Sequence, residues 1–431
     1  MTSGAIETVM LIQVNAAGNN NKFYELSKMP DGSTFARWGR VGGGAGQSRT
    51  YPGHHSFWAK REEKLRKGYT VFDGGRAASA SAAATVRRGQ LTGRVSAGLF
   101  PGGVAMADDL VAHLIRSNRH AIDTATGGRI QVSDSGAVTT ALGPVSLPQI
   151  GDARVALGQL RSGYDAAAVE KYLTLIPQKI LNVREQDWVT RAWCREQDDL
   201  LDALESAVTL STGAATEDDS EDAAPIDFRH TLVELDKSGA EFKRIAAKFN
   251  GSRNAMHAAN RLSLHRVWTL EDSTAAVWEK RKDALKHRRE LWHGTTAGNV
   301  LSILRTGLIC PPSNAGAYNT TGRMFGDGVY FSDQSTKSLN YAIGSAPGQR
   351  GRAGGSIPLM FLADVVMGRE CRSDSSITAD RLVDRARRGV DDKGRAFDSI
   401  YVRGGHCAVR NNEMIVWRTD QIKLTHLCEF R

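Results

Sequence analysis

The chain has 431 residues, enough for two or three domains that each bury a core, and its 41% hydrophobic and 24% charged content excludes a largely disordered protein. No apolar run reaches the length a membrane-spanning helix needs, and the opening MTSGAIETVMLIQVN lacks the basic start and small-residue cleavage site of a secretory signal, so an intracellular location with no membrane partner is expected. The net charge of +9 gathers at the start, where residues 1–90 hold 13 Lys and Arg against 6 Asp and Glu; this suits an anionic partner such as nucleic acid and equally a solvated surface.

In chain order, residues 1–75 form a first module, ended by the Gly-, Ala- and Ser-rich stretch GGRAASASAAATVRRGQLTG, which reads as a flexible linker over 76–98. Residues 99–212 carry helical periodicity. Leu110, Val111, Leu114 and Ile115 share one face, Val169, Tyr172, Leu173 and Ile176 another, and a third segment runs from Trp188 to about Leu210. The acidic TEDDSEDAAP then marks an exposed linker over 213–225. From 226 to 431, short apolar strands such as LMFLADVVMG, DSIYVR and NEMIVW alternate with glycine-rich turns and short helices, an α+β pattern. Five scattered cysteines without CxxC spacing or nearby histidines give no reason to expect a disulfide or a metal site.

Within this last region, ELWHGTTAGNVLSILRTGL puts His293 and Gly294 at a strand end before a helix that Thr295 or Thr296 can cap and Gly307 can end. FSDQSTKSLNYA is a second short helix whose Ser338 and Tyr341 lie three apart, offering a hydroxyl and a ring to one flat heterocycle, or to the core. In TGRMFGDGVY, Gly326 and Gly328 allow positive φ, close backbone approach or a hairpin turn before Tyr330. In NNEMIVW, Glu413 is either an enclosed and functional carboxylate or an ordinary residue at a frayed strand start.

These blocks, in this order, resemble the three catalytic blocks of the poly(ADP-ribose) polymerase family, whose His, Tyr and Glu fall at His293, Tyr330 and Glu413. NKFYELSKMPDGSTFARWGRVGGGAGQSRTYP followed by FWAKREEKLRKGY resembles a WGR domain, and LGPVSLPQI with VEKYLTLIP resembles the α-helical regulatory domain of break-activated members that lack zinc fingers. The resemblance implies a multidomain α+β protein: a small WGR sheet-and-helix module, an all-α helical regulatory domain and a mixed α+β ADP-ribosyltransferase domain with a split β-sheet core. It implies NAD+ as substrate and no metal. His293 and Asn299 would meet the adenine-side ribose, Gly294 and Ser338 the nicotinamide carboxamide, and Tyr341 and Tyr330 the nicotinamide ring. Lys337 would line the site. Glu413 would hold the nicotinamide ribose and polarise the acceptor, a sensible place for a carboxylate because cleavage at C1′ develops positive charge.

The same resemblance implies protein acceptors, DNA ends or strand breaks bound at the WGR domain through Trp38, Arg40, Lys60 and Arg61, activation by those breaks, and a part in the DNA damage response and DNA repair. The expected compartment is the nucleus in a eukaryote, or the cytoplasm and nucleoid for a bacterial or viral chain. Two departures stand out: the loop CPPSNAGAYNTT differs from familiar members, so no adenine-side contacts beyond His293 and Asn299 are assigned, and Asn411 stands where polymerising members have tyrosine, which bears on acceptor seating and polymer length. The alternatives are a mono-ADP-ribosyltransferase or NAD glycohydrolase, and a DNA-end-binding scaffold with an inert transferase domain.

Overall fold

The computed structural model describes residues 4–43, 46–72, 88–103, 107–126, 130–132, 138–140, 143–178, 180–184, 189–214, 225–309, 324–326, 328–344 and 357–431. They fall into two compact units, one built from Met1–Arg87 and Arg119–Asp219, the other from Arg88–Asn118, Ser220–Asn314 and Asn319–Arg431. Arg323 and the loop 310–322 lie outside the described residues, as does most of the acidic stretch. Among the described residues no helix is long and apolar enough to cross a membrane.

The first unit opens with strands β1 (Glu7–Asn15), β2 (Asn20–Lys28), β3 (Thr34–Arg40) and β4 (Gln47–Tyr51), helix α1 (His55–Arg66) and strand β5 (Thr70–Val71). They make one antiparallel sheet in the order β4-β3-β2-β1-β5. The apolar run in β1 is continuous because both faces are covered: Met10 and Ile12 pack with Val41 and Phe72, while Leu11 packs with Tyr24, Leu26 and Phe57 of α1.

Helix α2 (Arg88–Leu99) occupies the end of the expected linker, because Val95, Leu99 and Phe100 find a core to enter. Helix α3 (Ala107–Thr126) follows, and the chain passes from the second unit to the first within it. The region expected to be all-α then contains a three-stranded sheet of β6 (Ile130–Val132), β7 (Val138–Thr140) and β8 (Gly143–Pro144). Its β-branched residues, Ile130, Val132, Val138, Thr139 and Thr140, favour extended backbone over helix. Helices α4 (Leu147–Ser162), α5 (Ala166–Leu175) and α6 (Arg191–Ala214) complete the bundle. Ser146 caps α4, Asp165 caps α5 by accepting from Ala167 N at 2.9 Å, and Val169, Tyr172 and Leu173 face the core as their spacing predicts.

The second unit continues with β9 (His230–Glu234), α7 (Ala240–Gly251), a 3-10 turn (Ala258–Arg261), β10 (Leu264–Asp272), α8 (Ala275–Leu285), β11 (Arg288–Gly294) and α9 (Ala297–Thr306). After these come β12 (Val329–Phe331), α10 (Ser335–Ala342), β13 (Leu359–Val366), β14 (Glu370–Arg372), α11 (Ala379–Arg388), β15 (Ser399–Val402), β16 (Glu413–Val416) and β17 (Ile422–Phe430). Two sheets result, one in the order β11-β13-β17-β10-β9 and a smaller one in the order β12-β16-β15-β14. A bridge joins them, with Trp292 N donating to Ser332 O at 2.8 Å and Ser332 N to Trp292 O at 3.0 Å. Helix α3 is fastened to this unit by Asn118, whose side-chain amide donates to Gly298 O at 3.1 Å, and by His113, whose Nε2 accepts from Ile357 N at 3.0 Å.

Candidate active site

The bridge between the two sheets brings the three sequence blocks to one place. His293 is the penultimate residue of β11, Tyr330 the centre of β12, and Glu413 the first residue of β16. Because Tyr330 pairs with Ile415 and Phe331 with Met414, Ser332 lies one step on, opposite Glu413, while its backbone bonds to Trp292 beside His293. Register alone therefore sets Glu413 near the His293 strand end.

His293 Nδ1 donates to Tyr330 O at 3.0 Å, since a carbonyl can only accept. Burial holds the imidazole below its ordinary value, outweighing the upward pull of that hydrogen bond. The ring is therefore neutral near pH 7, with Nε2 left as an acceptor for a ligand hydroxyl. Gly294 is required by packing: a Cβ there would sit 1.7 Å from Ser338 O, so β11 and α10 approach at backbone distance. Ser338 is buried and its hydroxyl donates to Trp292 O at 3.1 Å. Thr296 occupies the N-cap position of α9 without a side-chain cap bond, Thr295 Oγ1 instead accepts from Asn299 Nδ2 at 3.4 Å, and Gly307 ends the helix at φ 85°.

The glycines before Tyr330 serve two different needs. Gly326 has φ 76°, so it supplies the left-handed backbone of the turn, whereas a Cβ on Gly328 would lie 2.5 Å from Ile415 Cγ2 and 2.8 Å from Val416 O. Tyr330 is tied to the turn, its hydroxyl donating to Gly326 O at 2.8 Å and accepting from Phe325 N at 3.0 Å.

Glu413 is enclosed, with 13% of its side chain exposed, and Oε1 pairs with Lys337 Nζ at 2.9 Å. Lys337 also donates to Asn412 O at 3.2 Å. Burial lowers the Lys337 pKa, with Glu413 opposing the shift, and burial followed by the Glu413 charge pushes the Tyr341 phenol up to about 12. The pair leaves one carboxylate oxygen, Oε2, with no hydrogen bond or ion pair among the described residues.

The sequence singled out Lys337 and Asn411, but not the other residues that hold this segment. Asn412 donates to Asp333 Oδ2 at 2.8 Å and accepts from Gly404 N at 2.9 Å, fixing the backbone just before Glu413. Asn411 Nδ2 lies 3.2 Å from His257 Nε2, whose Nδ1 lies 2.9 Å from Thr336 Oγ1 on α10. The paired asparagines in NNEMIVW were the only signal, and His257 had none.

In the first unit, Trp38 stacks on Tyr24 with ring centroids 5.5 Å apart, and its Nε1 donates to Gln47 Oε1 at 2.9 Å. Lys60 pairs with Glu63 at 2.7 Å and Arg61 with Glu62 at 2.8 Å, both weak partners at a surface. Arg40, expected to contact phosphate, is engaged within the unit. Its Nη1 donates to Asn19 O and its Nη2 to Asn19 Oδ1, both at 2.9 Å, and Nη2 also donates to the carbonyls of Ile180 and Leu181 at 3.2 and 2.7 Å. Arg49, which the sequence did not single out, lies on the exposed edge strand β4, where it and Lys60 both approach the Tyr51 ring at 5.2 Å.

Residues 239–431 match the poly(ADP-ribose) polymerase catalytic domain and residues 7–75 the WGR domain. Among relatives, Poly [ADP-ribose] polymerase of Drosophila melanogaster is 29% identical over 48% of this chain and 20% of its own length. Poly [ADP-ribose] polymerase 1 of Xenopus laevis is 26% identical over 67% of this chain and 31% of its own. Protein mono-ADP-ribosyltransferase PARP3 of Mus musculus is 26% identical over 91% of this chain and 76% of its own. The chain thus spans a fifth to a third of the first two relatives. With a WGR domain followed by a catalytic domain, the chain belongs to the poly(ADP-ribose) polymerase family.

Proposed function

We propose that the protein is an NAD+ ADP-ribosyltransferase acting on protein acceptors. The observation that carries this reading is the enclosed Glu413–Lys337 pair, set by strand register beside the neutral His293 and the narrow Gly294–Ser338 approach. The Gly294 backbone would hold the nicotinamide carboxamide, and His293 Nε2 and Asn299 the ribose hydroxyls. When the bond from ribose C1′ to nicotinamide breaks, its electron pair leaves with the ring, which departs neutral. Glu413 stabilises the positive charge left at C1′ and takes the proton of the acceptor hydroxyl as its oxygen bonds to that carbon. Lys337 holds the carboxylate in place.

The domain content supports the further reading that DNA ends or strand breaks bound at the WGR domain raise this activity through the helical domain, over residues 99–212. Chain elongation is favoured by the intact Glu413. Single transfer is the second reading, favoured by Asn411, which bonds to His257 instead of offering a phenol. Lys337→Met and Glu413→Gln test the site together. Glu413→Gln is expected to cut transfer from labelled NAD+ by about 10²–10³-fold while NAD+ binding by calorimetry persists, the pattern for lost transition-state charge stabilisation. Undiminished product on a gel would overturn the assignment, and product length on that gel separates elongation from single transfer.

A further inference from the structure

Helix α9 ends against two consecutive residues, Arg229 and His230, that the site described above does not use. The last turn of any helix leaves its carbonyls without partners inside the helix. Here each of the four finds one. Gly307 N donates to Ile303 O at 2.8 Å, His230 Nδ1 to Leu304 O at 3.2 Å, Arg229 N to Arg305 O at 3.2 Å and Arg229 Nη1 to Thr306 O at 3.5 Å.

Both residues are braced on one carboxylate. Asp272, the last residue of β10, stands opposite His230 in the strand ladder, so register puts it there. Its Oδ1 accepts from Arg229 Nε at 3.0 Å and from Thr274 N and Oγ1, both at 2.8 Å. Its Oδ2 accepts from Arg229 Nη2 at 2.9 Å and lies 3.6 Å from His230 Nε2. Burial raises the Asp272 pKa, but His230, Arg229 and Thr274 outweigh it and hold the carboxyl well below its usual range. The side chains of His230 and Asp272 are each 1% exposed, so solvent does not screen them, and a lost partner leaves a buried polar atom unpaired. Toward its other end α9 carries Asn299, about 7.5 Å along the axis from Leu304.

We propose that Asp272, His230 and Arg229 form a clasp of positioning residues for NAD+: they fix the axial position of α9, and through it they hold Asn299 against the adenine-side ribose. The proposal rests on the transferase reading and on the ribose contact assigned to Asn299 within it. Donors from two consecutive residues, aimed at successive carbonyls, give the helix end one seat. A ten-residue helix passes a shift of its C-terminus along its length, and a misplacement of about 1 Å is enough to weaken a substrate contact. Because the ribose lies away from the bond that breaks, its contact counts equally in the ground and transition states and shows in KM, with kcat left in place.

The test is a double-mutant cycle in the full chain. His230→Ala, His230→Asn and Asp272→Asn are made alone and combined with Asn299→Ala, and KM and kcat are read from nicotinamide release. His230→Ala is expected to raise KM for NAD+ roughly fivefold, as loss of one buried hydrogen bond implies, with kcat changed less than about twofold. His230→Asn, whose amide nitrogen can take the place of Nδ1, is expected to recover most of that loss. With Asn299 already replaced, neither His230→Ala nor Asp272→Asn should raise KM further. Additive effects on KM in the combined variants, a fall in kcat as large as the rise in KM, or His230→Asn behaving as His230→Ala overturns the clasp. Asp272→Asn keeps the side-chain volume and an acceptor for Arg229, so the cycle closes even where His230→Ala does not fold. A wild-type protein that releases no nicotinamide overturns the transferase reading instead, and the same cycle on the NAD+ dissociation constant by calorimetry still decides the clasp.

Discussion

His293 shows how one residue's environment sets its chemistry. Its Nδ1 proton is committed to Tyr330 O, and burial lowers its pKa, so the neutral form dominates in the folded protein. Because the folded pKa lies below the unfolded value of about 6.5, the stability linked to this group is full above that pH and is lost as pH falls toward the lower folded value. Activity follows the same direction: kcat/KM for NAD+ is expected to drop on the acid side of about 6.5 as Nε2 gains a proton and stops accepting. His293→Gln should remove that limb from the pH–rate profile, and a limb left in place would assign it elsewhere. His293, Tyr330 and Glu413 were singled out by the resemblance of their three blocks to a family, since their residue types alone left ordinary structural roles open. Asp333, Asn412 and His257 were not, because they act through backbone contacts and through neighbours distant in sequence.

At the scale of elements, the pairing of β12 with β16 carries the site, and Gly328 sets it. A methyl group there would enter the space of Ile415 Cγ2 and Val416 O. Gly328→Ala is expected to cost about 1–3 kcal/mol, as overpacking does, lowering Tm and displacing Tyr330. Gly326→Ala should cost about 1–2 kcal/mol for its left-handed backbone, without breaking the strand pair. Thermal unfolding of both variants, with transfer activity beside it, checks the distinction. Helical spacing identified α3, α5 and α6, since a buried stripe recurs wherever a helix packs. The stretch Ile130–Pro144 and helix α2 were not legible: short strands leave too few residues for a period, and α2 is built from a Gly-rich sequence whose helix depends on tertiary burial of Val95 and Leu99.

Over the whole first unit, Arg40 joins the N-terminal sheet to the helical bundle. It reaches Ile180 O and Leu181 O while Glu170 accepts from Ala16 N at 2.7 Å and Asn21 donates to Gln178 O at 2.9 Å. Under the proposed break-dependent activation, Arg40→Ala should reduce the stimulation of NAD+ turnover by nicked DNA severalfold while DNA affinity changes little. Equal stimulation would separate this joint from signalling, and lost DNA binding would support the phosphate role that the sequence suggested for Arg40. That a WGR domain precedes a catalytic domain was legible because each carries its own motifs. This joint was not, since Arg40 looks like any surface cation until its partners are seen.

Most acceptors along the joint belong to the main chain: Gln178 O, Ile180 O and Leu181 O on one side, and Ala17 O, which Arg184 Nε reaches at 2.8 Å, on the other. A contact made to carbonyls does not depend on which side chains carry them, and Leu181 accordingly points 74% into solvent. At Leu181 the joint is therefore indifferent to spelling and strict about length: that side chain can vary, whereas an insertion or deletion beside it shifts the carbonyls that Arg40 and Asn21 reach.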